Sequence, residues 1–491
     1  MKTPFIGGVV GVLFSWLFLG INPATLLMLI VALALLFLGI FKEYEPLLLI
    51  PIGFGALLAN IPGGGMSSYH YEVDLISKIS HQSEKKSLTK DKVTYIYRSN
   101  ENSLIWSNSE NKELKCVALI ELNKNNAIIE KCDPGAVLRC SGVYIENSMR
   151  LDEGDTLQIG EEIYTVAVSR GLLAWLYKTL LATGIIPPLI FMGVGAMTDF
   201  GPLMRNVGLA FYGAAAQIGI FIVFFLALFS GMFNLNEAAS LGIIGGADGP
   251  TAVYLTTKLA PHLLGPIAVA AYSYMALVPV IIPWIVRRTT TAEERRINMR
   301  EQDKKFGSSN IKISKKAKIA FPIVVVFVCG ICVPSSTVLV GMLMFGNLIK
   351  EVGIPSVVER LCGVSKGALI NIMTIFLGLC VGGTMEAEVF LNFKTVGIIL
   401  GGLFAFSLSV AGGIYGAKLW NMYARDAGKK LTNPLIGATG LSAVPMASRV
   451  ANEIALKEDP GNNIIHYCMA SNIAGVIGSA VAAGFFLSKL G

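Results

Sequence analysis

Apolar runs of membrane length dominate the chain. Residues 4–20 and 25–41 each approach the ~20 residues that cross ~30 Å of hydrocarbon, and a shorter run, LLIPIGFGALLANIP, covers 48–62. After a polar interval the pattern returns at about 183–199, 205–231, 238–258 and 263–286, and again at 319–350, 368–384, 395–417, 436–456 and 463–488. The pattern predicts an all-α polytopic membrane protein of about 11–12 spans. No small-residue cleavage site follows the first run, which reads as a retained span. The stretch 319–350 carries the break Pro334–Ser335–Ser336 and reads as one kinked span or two short ones.

The interval 66–170 has a different composition, with 13 Lys/Arg and 16 Asp/Glu. Short β-branched or alternating runs recur in it: KVTYIYRS from Lys92, CVALIEL from Cys116, GVYIEN from Gly142 and EEIYTVAVS from Glu161. Gly, Asn and Asp punctuate them, which predicts a small β-rich extramembrane insertion. The expected organisation is therefore N-terminal spans in 1–65, the insertion in 66–170, a first membrane repeat in 171–286, a basic loop in 287–318 and a second repeat in 319–491.

Four pairs of segments keep the same order in the two halves. FMGVGAMTDF from Phe191 echoes FLGLCVGGTMEAE from Phe376, and GFGALLANIPG from Gly53 echoes MFGNLIKEVG from Met344. GADGPTA from Gly246 echoes GLSAVPMA from Gly440, and AYSYM from Ala271 echoes MASNI from Met469. Such order is the mark of a duplicated transporter core. Five spans per half would invert the repeats and six would make them parallel. The inverted arrangement, with 319–350 as one broken span, is the expectation, although it places the basic loop 418–432 outside, against the charge rule.

Composition narrows the class. At 53% hydrophobic and 15% charged, with mean hydropathy +0.62, the chain lacks the charged surface of a soluble protein. Its net charge of +7 is matched by the loop 287–318 alone, where eleven Lys/Arg face four Asp/Glu. That excess puts the loop in the cytoplasm and needs no nucleic-acid partner. The four histidines do not cluster and the cysteines show no zinc spacing, so no transition-metal site is expected.

The chemistry concentrates in two interrupted apolar segments. In GIIGGADGPTAVYL from Gly242, Pro250 lacks a donor and the glycines relax the backbone, so the helix must break near 245–250. The freed carbonyls and Asp248 must then face protein or a cavity, and an ionisable group at membrane depth marks function. NPLIGATGLSAVPMASRV from Asn433 predicts a second break near 437–445. Asn433, Ser442 and the freed carbonyls suit Na⁺, whereas Arg449, two turns beyond Ser442, suits Asp248 or a substrate carboxylate. Tyr274 and Asn472 hold corresponding places in the halves, Tyr274 suited to donate to a carboxylate or relay a proton and Asn472 to ligate a cation.

These segments resemble the β subunit of the Na⁺-translocating biotin-dependent decarboxylases, which include oxaloacetate, methylmalonyl-CoA, glutaconyl-CoA and malonate decarboxylases. The strings that carry the resemblance are IFMGVGAMTDFGPL from Ile190, GIIGGADGPTA from Gly242, KLAPHLLGPIAVAAYSYMALVP from Lys258 and NPLIGATGLSAVPMASRV from Asn433. Residues 66–170 depart from the family's usual linker. Inverted five-helix repeats with two crossed broken helices are the expectation from the residue pattern itself, and the resemblance adds a function. It implies a multi-pass protein of the bacterial inner membrane that decarboxylates carboxybiotin and couples this to Na⁺ export, consuming an external proton. Biotin would arrive on a partner, since no biotinylation site occurs here. The implied partners are a carboxyltransferase α subunit, a biotin carrier, a small membrane γ/δ subunit and further copies of this chain. The family's catalytic residues map to Asp248, Tyr274 and Arg449, with Tyr274 and Arg449 contacting carboxybiotin. Its Na⁺ ligands map to Asp248, Asn433, Gly437, Ser442 and Asn472. A stand-alone Na⁺/H⁺ or Na⁺/organic-anion carrier is the alternative, because such carriers share the inverted architecture.

Overall fold

The computed structural model describes residues 22–491 apart from 62–63, 65, 67–71, 78–84, 87–92, 99–103, 109–110, 112–114, 124–125, 152–154, 160–161, 170, 307–312 and 444–445. The expected span 4–20 lies outside the described residues. The chain divides into two compact units, Pro62–Trp175 and the remainder.

The smaller unit is β-rich among its described residues, and a short helix begins at Leu172 where it ends. Its strands are β1 (Glu72–Ser77), β2 (Lys85–Lys86), β3 (Val93–Arg98), β4 (Leu104–Ser107), β5 (Lys115–Asn123), β6 (Asn126–Lys131), β7 (Leu138–Cys140), β8 (Val143–Tyr144), β9 (Ser148–Leu151), β10 (Thr156–Ile159) and β11 (Glu162–Ser169). They form two antiparallel sheets, in the orders β2-β1-β11-β10-β7-β8 and β4-β3-β5-β6-β9. Alternation along the strands buries Ile96, Ile120, Ile129, Leu157, Tyr164 and Val166 in one core. Three of the four β-branched runs read from the sequence fall on β3, β5 and β11, whereas GVYIEN is strand only over Val143–Tyr144.

The larger unit is helical. Its first half holds α1 (Pro23–Phe41), α2 (Pro46–Asn60), α3 (Ile186–Met197), α4 (Ala210–Phe229), α5 (Leu235–Gly242), α6 (Gly249–Leu259), α7 (Leu264–Ala276) and α8 (Val278–Thr289). Its second half holds α9 (Lys315–Cys332), α10 (Thr337–Glu351), α11 (Ile370–Gly383), α12 (Phe393–Asp426), α13 (Pro434–Gly437), α14 (Met446–Glu458) and α15 (Ile465–Leu490). Five helices among the described residues are long and apolar enough to cross a membrane, or seven if each of two bent pairs counts as one span. The 11–12 spans read from hydropathy also count interrupted segments, whose separate halves are too short for that criterion.

Packing follows the repeat. Helix α2 lies along α11 as α10 lies along α3, α4 contacts α15 as α12 contacts α7, and α4 crosses α12. Exchanging the halves therefore leaves the pattern unchanged. The same small residues allow it on both sides. A β-carbon on Gly55 would sit 2.7 Å from the carbonyl oxygen of Leu379, and one on Gly346 would collide with that of Met192. Close backbone approach through glycine is how helices associate where lipid removes the hydrophobic drive. Side-chain amides finish both pairs: Asn60 Nδ2 donates to Met385 O (2.7 Å) and Asn347 Nδ2 to Thr198 O (3.4 Å).

The stretch 319–350 differs from the expectation of one broken span. Val333, ahead of Pro334, leaves the helical region (φ −141°, ψ 85°) and a 3₁₀ turn follows. Helix α10 then folds back along α9, bringing Lys318 Nζ within 3.8 Å of Glu351 Oε2. This extra crossing removes the charge objection to inverted repeats. The end of α12 and the loop after it lie beside the basic loop, with Lys418 Nζ 3.0 Å from Glu294 Oε2 and Lys430 paired with Asp303.

Candidate functional site

Both interrupted segments are hairpins that return to the end they entered from. In the first, Glu237 in the opening turn of α5 accepts from Lys394 Nζ (2.7 and 2.9 Å) and lies 2.8 Å from Nε2 of His262, just past α6. In the second, the side-chain amides of Asn433 and Asn462 both donate to Ile297 O, each at 3.0 Å, while Arg295 pairs with Glu458 at 2.6 Å. Lys394 begins α12 and Lys430 follows its end, and a 34-residue helix is roughly 51 Å long. The hairpins therefore enter from opposite ends of the unit.

Their tips meet. Helix α5 tightens into a 3₁₀ turn over Ile243–Gly246, and Ala247 takes the left-handed conformation (φ 51°) that reverses the chain. Asp248 caps α6, its Oδ1 accepting from Thr251 N at 3.2 Å. Pro250 sits in the first turn, where its missing donor costs nothing. From the other hairpin, Ser442 N donates to Gly246 O (2.9 Å) and Ser442 Oγ to Asp248 Oδ2 (2.9 Å). Ser479 Oγ on α15 donates to the same Oδ2 at 2.6 Å. Asp248 is only 4% exposed. A buried carboxylate is thus held by two hydroxyls and one amide, with no cationic side chain paired to it among the described residues.

Two amides complete the polar centre. Asn472 Nδ2 donates to Leu441 O (2.8 Å), and Gln217 Nε2 lies 3.3–3.4 Å from the carbonyls of Gly213, Gly440 and Gly475. These bonds fix both amides, and their carbonyl oxygens, Asn472 Oδ1 and Gln217 Oε1, are buried without a hydrogen-bond partner among the described residues. Asn472, Gly475 and Ser479 follow at i, i+3 and i+7 on α15, one face that runs past both tips. Three hard-oxygen types, carboxylate, hydroxyl and amide, therefore gather around the tips, the donor chemistry of an alkali cation.

The sequence-derived set divides. Asp248, Ser442 and Asn472 gather at the tips. Asn433 instead caps α13, its Oδ1 accepting from Leu435 N (3.0 Å) and its Nδ2 bound to Arg295 O (2.7 Å) and Ile297 O. Gly437 lets α13 approach α12, since a β-carbon there would collide with Gly413 O. Tyr274 donates to Ile399 O on α12. Arg449 is exposed on α14.

Three residues at the centre escape the sequence reading. Ser479 and Gln217 lie in unbroken apolar helices, and only helical spacing from Asn472 points to Ser479. The third, Tyr272, is the other tyrosine of AYSYM. Two residues apart on a helix are ~200° apart, so only one can face the tip. It is Tyr272, fully buried, whose ring a β-carbon on Gly249 would strike.

A family model described as Na⁺-transporting oxaloacetate decarboxylase beta subunit matches residues 24–490. The chain belongs to this β-subunit family. Methylmalonyl-CoA decarboxylase subunit beta of Propionigenium modestum is 42% identical over 474 residues, which cover 96% of this chain and 97% of that protein. Oxaloacetate decarboxylase beta chain of Klebsiella pneumoniae is 43% identical over 466 residues, 94% of each chain. The β-subunit family thus includes relatives named for different substrates at nearly equal similarity to this chain. Membership makes it a multi-pass membrane component of a decarboxylase complex.

Proposed function

We propose that this chain decarboxylates carboxybiotin, delivered on a partner's biotin carrier, and couples the reaction to export of Na⁺ across a bacterial inner membrane with uptake of an external proton. The observation that carries this reading is the buried Asp248 carboxylate between the tips of two hairpins that enter from opposite ends.

Na⁺ binds at Asp248. The hydroxyls of Ser442 and Ser479 turn their lone pairs toward the ion, and the amide oxygens of Asn472 and Gln217 supply neutral ligands. Asn433 and Gly437 serve this site indirectly, one by anchoring the foot of the second hairpin and the other by seating it against α12. Decarboxylation breaks the N–CO₂⁻ bond of carboxybiotin. CO₂ leaves, the electron pair stays on the ureido nitrogen, and a proton must reach that nitrogen. Tyr272, beside Asp248, is better placed to pass it than Tyr274, whose hydroxyl is engaged with α12. Loss of the carboxylate removes one negative charge near the ion, which shifts the balance between states open to either end. The acid or acyl-CoA consumed is chosen by the carboxyltransferase partner.

Reconstitution of the purified complex in proteoliposomes tests the reading. ²²Na⁺ should accumulate in the lumen only while carboxybiotin is turned over, and avidin should retain this chain through a biotinylated partner. Na⁺/H⁺ exchange by the chain alone, with no biotinylated protein bound, would instead make it a stand-alone carrier.

A further inference from the structure

We propose that the carboxylate of carboxybiotin is received by Lys366, in a chamber that begins at Asp248. The inference rests on the carboxybiotin reading and adds to it the place and the cation.

A cavity of about 390 Å³ extends from Asp248, Gly249 and Pro250 past Ser442 and Tyr272. Volumes of this order hold a small organic ligand. Much of its lining is apolar, from α3 and α11, as the hydrocarbon face of a bicyclic ureido ring requires. Its charged residues are Asp248, Glu45 and Lys366. Arg449, the sequence-based choice for the carboxylate, is not among the lining residues. Lys366 is therefore the one Lys or Arg in the described lining of the space that Asp248 shares.

The backbone at Lys366 is a second, independent observation. Val364–Leu369 forms a π-helical turn within the long apolar segment Val358–Gly383. Such turns add a residue to the helix, weaken its geometry and concentrate at functional sites. Here the turn also packs tightly on α3, because a β-carbon on Gly193 would lie 2.8 Å from Ser365 O. The widened turn thus fixes the segment that presents Lys366.

Charge sets the order of binding. An anionic ligand entering this chamber meets the carboxylates of Asp248 and Glu45 against one ammonium. Na⁺ on Asp248 cancels one of these two carboxylates, so carboxybiotin binds well only after Na⁺. Turnover without Na⁺, which would waste the decarboxylation energy, is thereby suppressed.

The test uses the purified complex with free carboxybiotin as probe. Lys366→Gln should raise KM for the probe about tenfold or more with kcat within about twofold, as loss of a charge-assisted contact made in the ground state requires. Lys366→Arg should restore most of the affinity. ²²Na⁺ binding without the probe should be unchanged in both variants, which also reports that they fold. An unchanged KM in Lys366→Gln overturns the proposal, as does a tenfold rise in Arg449→Gln with none in Lys366→Gln. Failure of the Na⁺ reading is read separately, from ²²Na⁺ binding to the parent chain.

Discussion

Replacing Asp248 with asparagine is expected to lower Na⁺-dependent decarboxylation roughly 100-fold or more, the loss typical when one partner of a buried charge pair is removed. The substitution is close to isosteric. Its amide oxygen can still accept from Thr251 N and cap α6, so the hairpin keeps its shape. The charge is gone, and an amide nitrogen now sits where Oδ2 accepted from Ser442 and Ser479. The ion therefore loses both its counter-charge and the hydroxyls arranged around it. The measurement is the initial rate against Na⁺ concentration, at equal amounts of chain in the membrane. Parent-like rates and Na⁺ half-saturation would remove Asp248 from the mechanism.

The largest effect on folding is expected from Gly346→Leu. Helix α10 meets α3 through backbone, and even a single β-carbon at Gly346 runs into Met192 O. A carbonyl in a helix cannot swing aside as a side chain can, so the pair must separate along its length. The cost is about 3 kcal/mol or more, at or beyond the upper range for overpacking. The check is thermal unfolding in detergent, where the variant should unfold well below the parent or fail to accumulate. Gly363→Ala is the control. Its β-carbon meets nothing within 4 Å, and alanine favours a helix over glycine, so its unfolding temperature should match or exceed the parent's. Equal unfolding of Gly346→Leu and parent would show that α3 and α10 do not pack through their backbones.

The features legible in the sequence are those with backbone causes. Proline and glycine beside Asp248 force an interruption whatever the tertiary context, and the alternation of Val, Ile and Tyr in 92–169 has no helical solution. The order of echoed segments exposes the duplication because packing needs the same small residues twice, at Gly55 and Gly346. What was hidden depends on which way a helix faces. Ser479 and Gln217 sit in apolar runs that read as plain membrane helix, and nothing local separates Tyr272 from Tyr274. The fold-back at Pro334 was hidden for a related reason. Proline and two serines permit either a kink or a reversal, and the pairing of α9 with α10 decides between them. Asn433 shows the converse. Its polarity within an apolar frame suggested a ligand, yet its amide holds the foot of a hairpin.

Equilibrium binding of ²²Na⁺ to the purified chain, parent against Asp248→Asn, addresses the buried carboxylate with no partner subunit or substrate present. The parent should bind Na⁺ saturably and Asp248→Asn should not, with Ser479→Ala weakened in between. Saturable binding of equal affinity in all three would contradict the account.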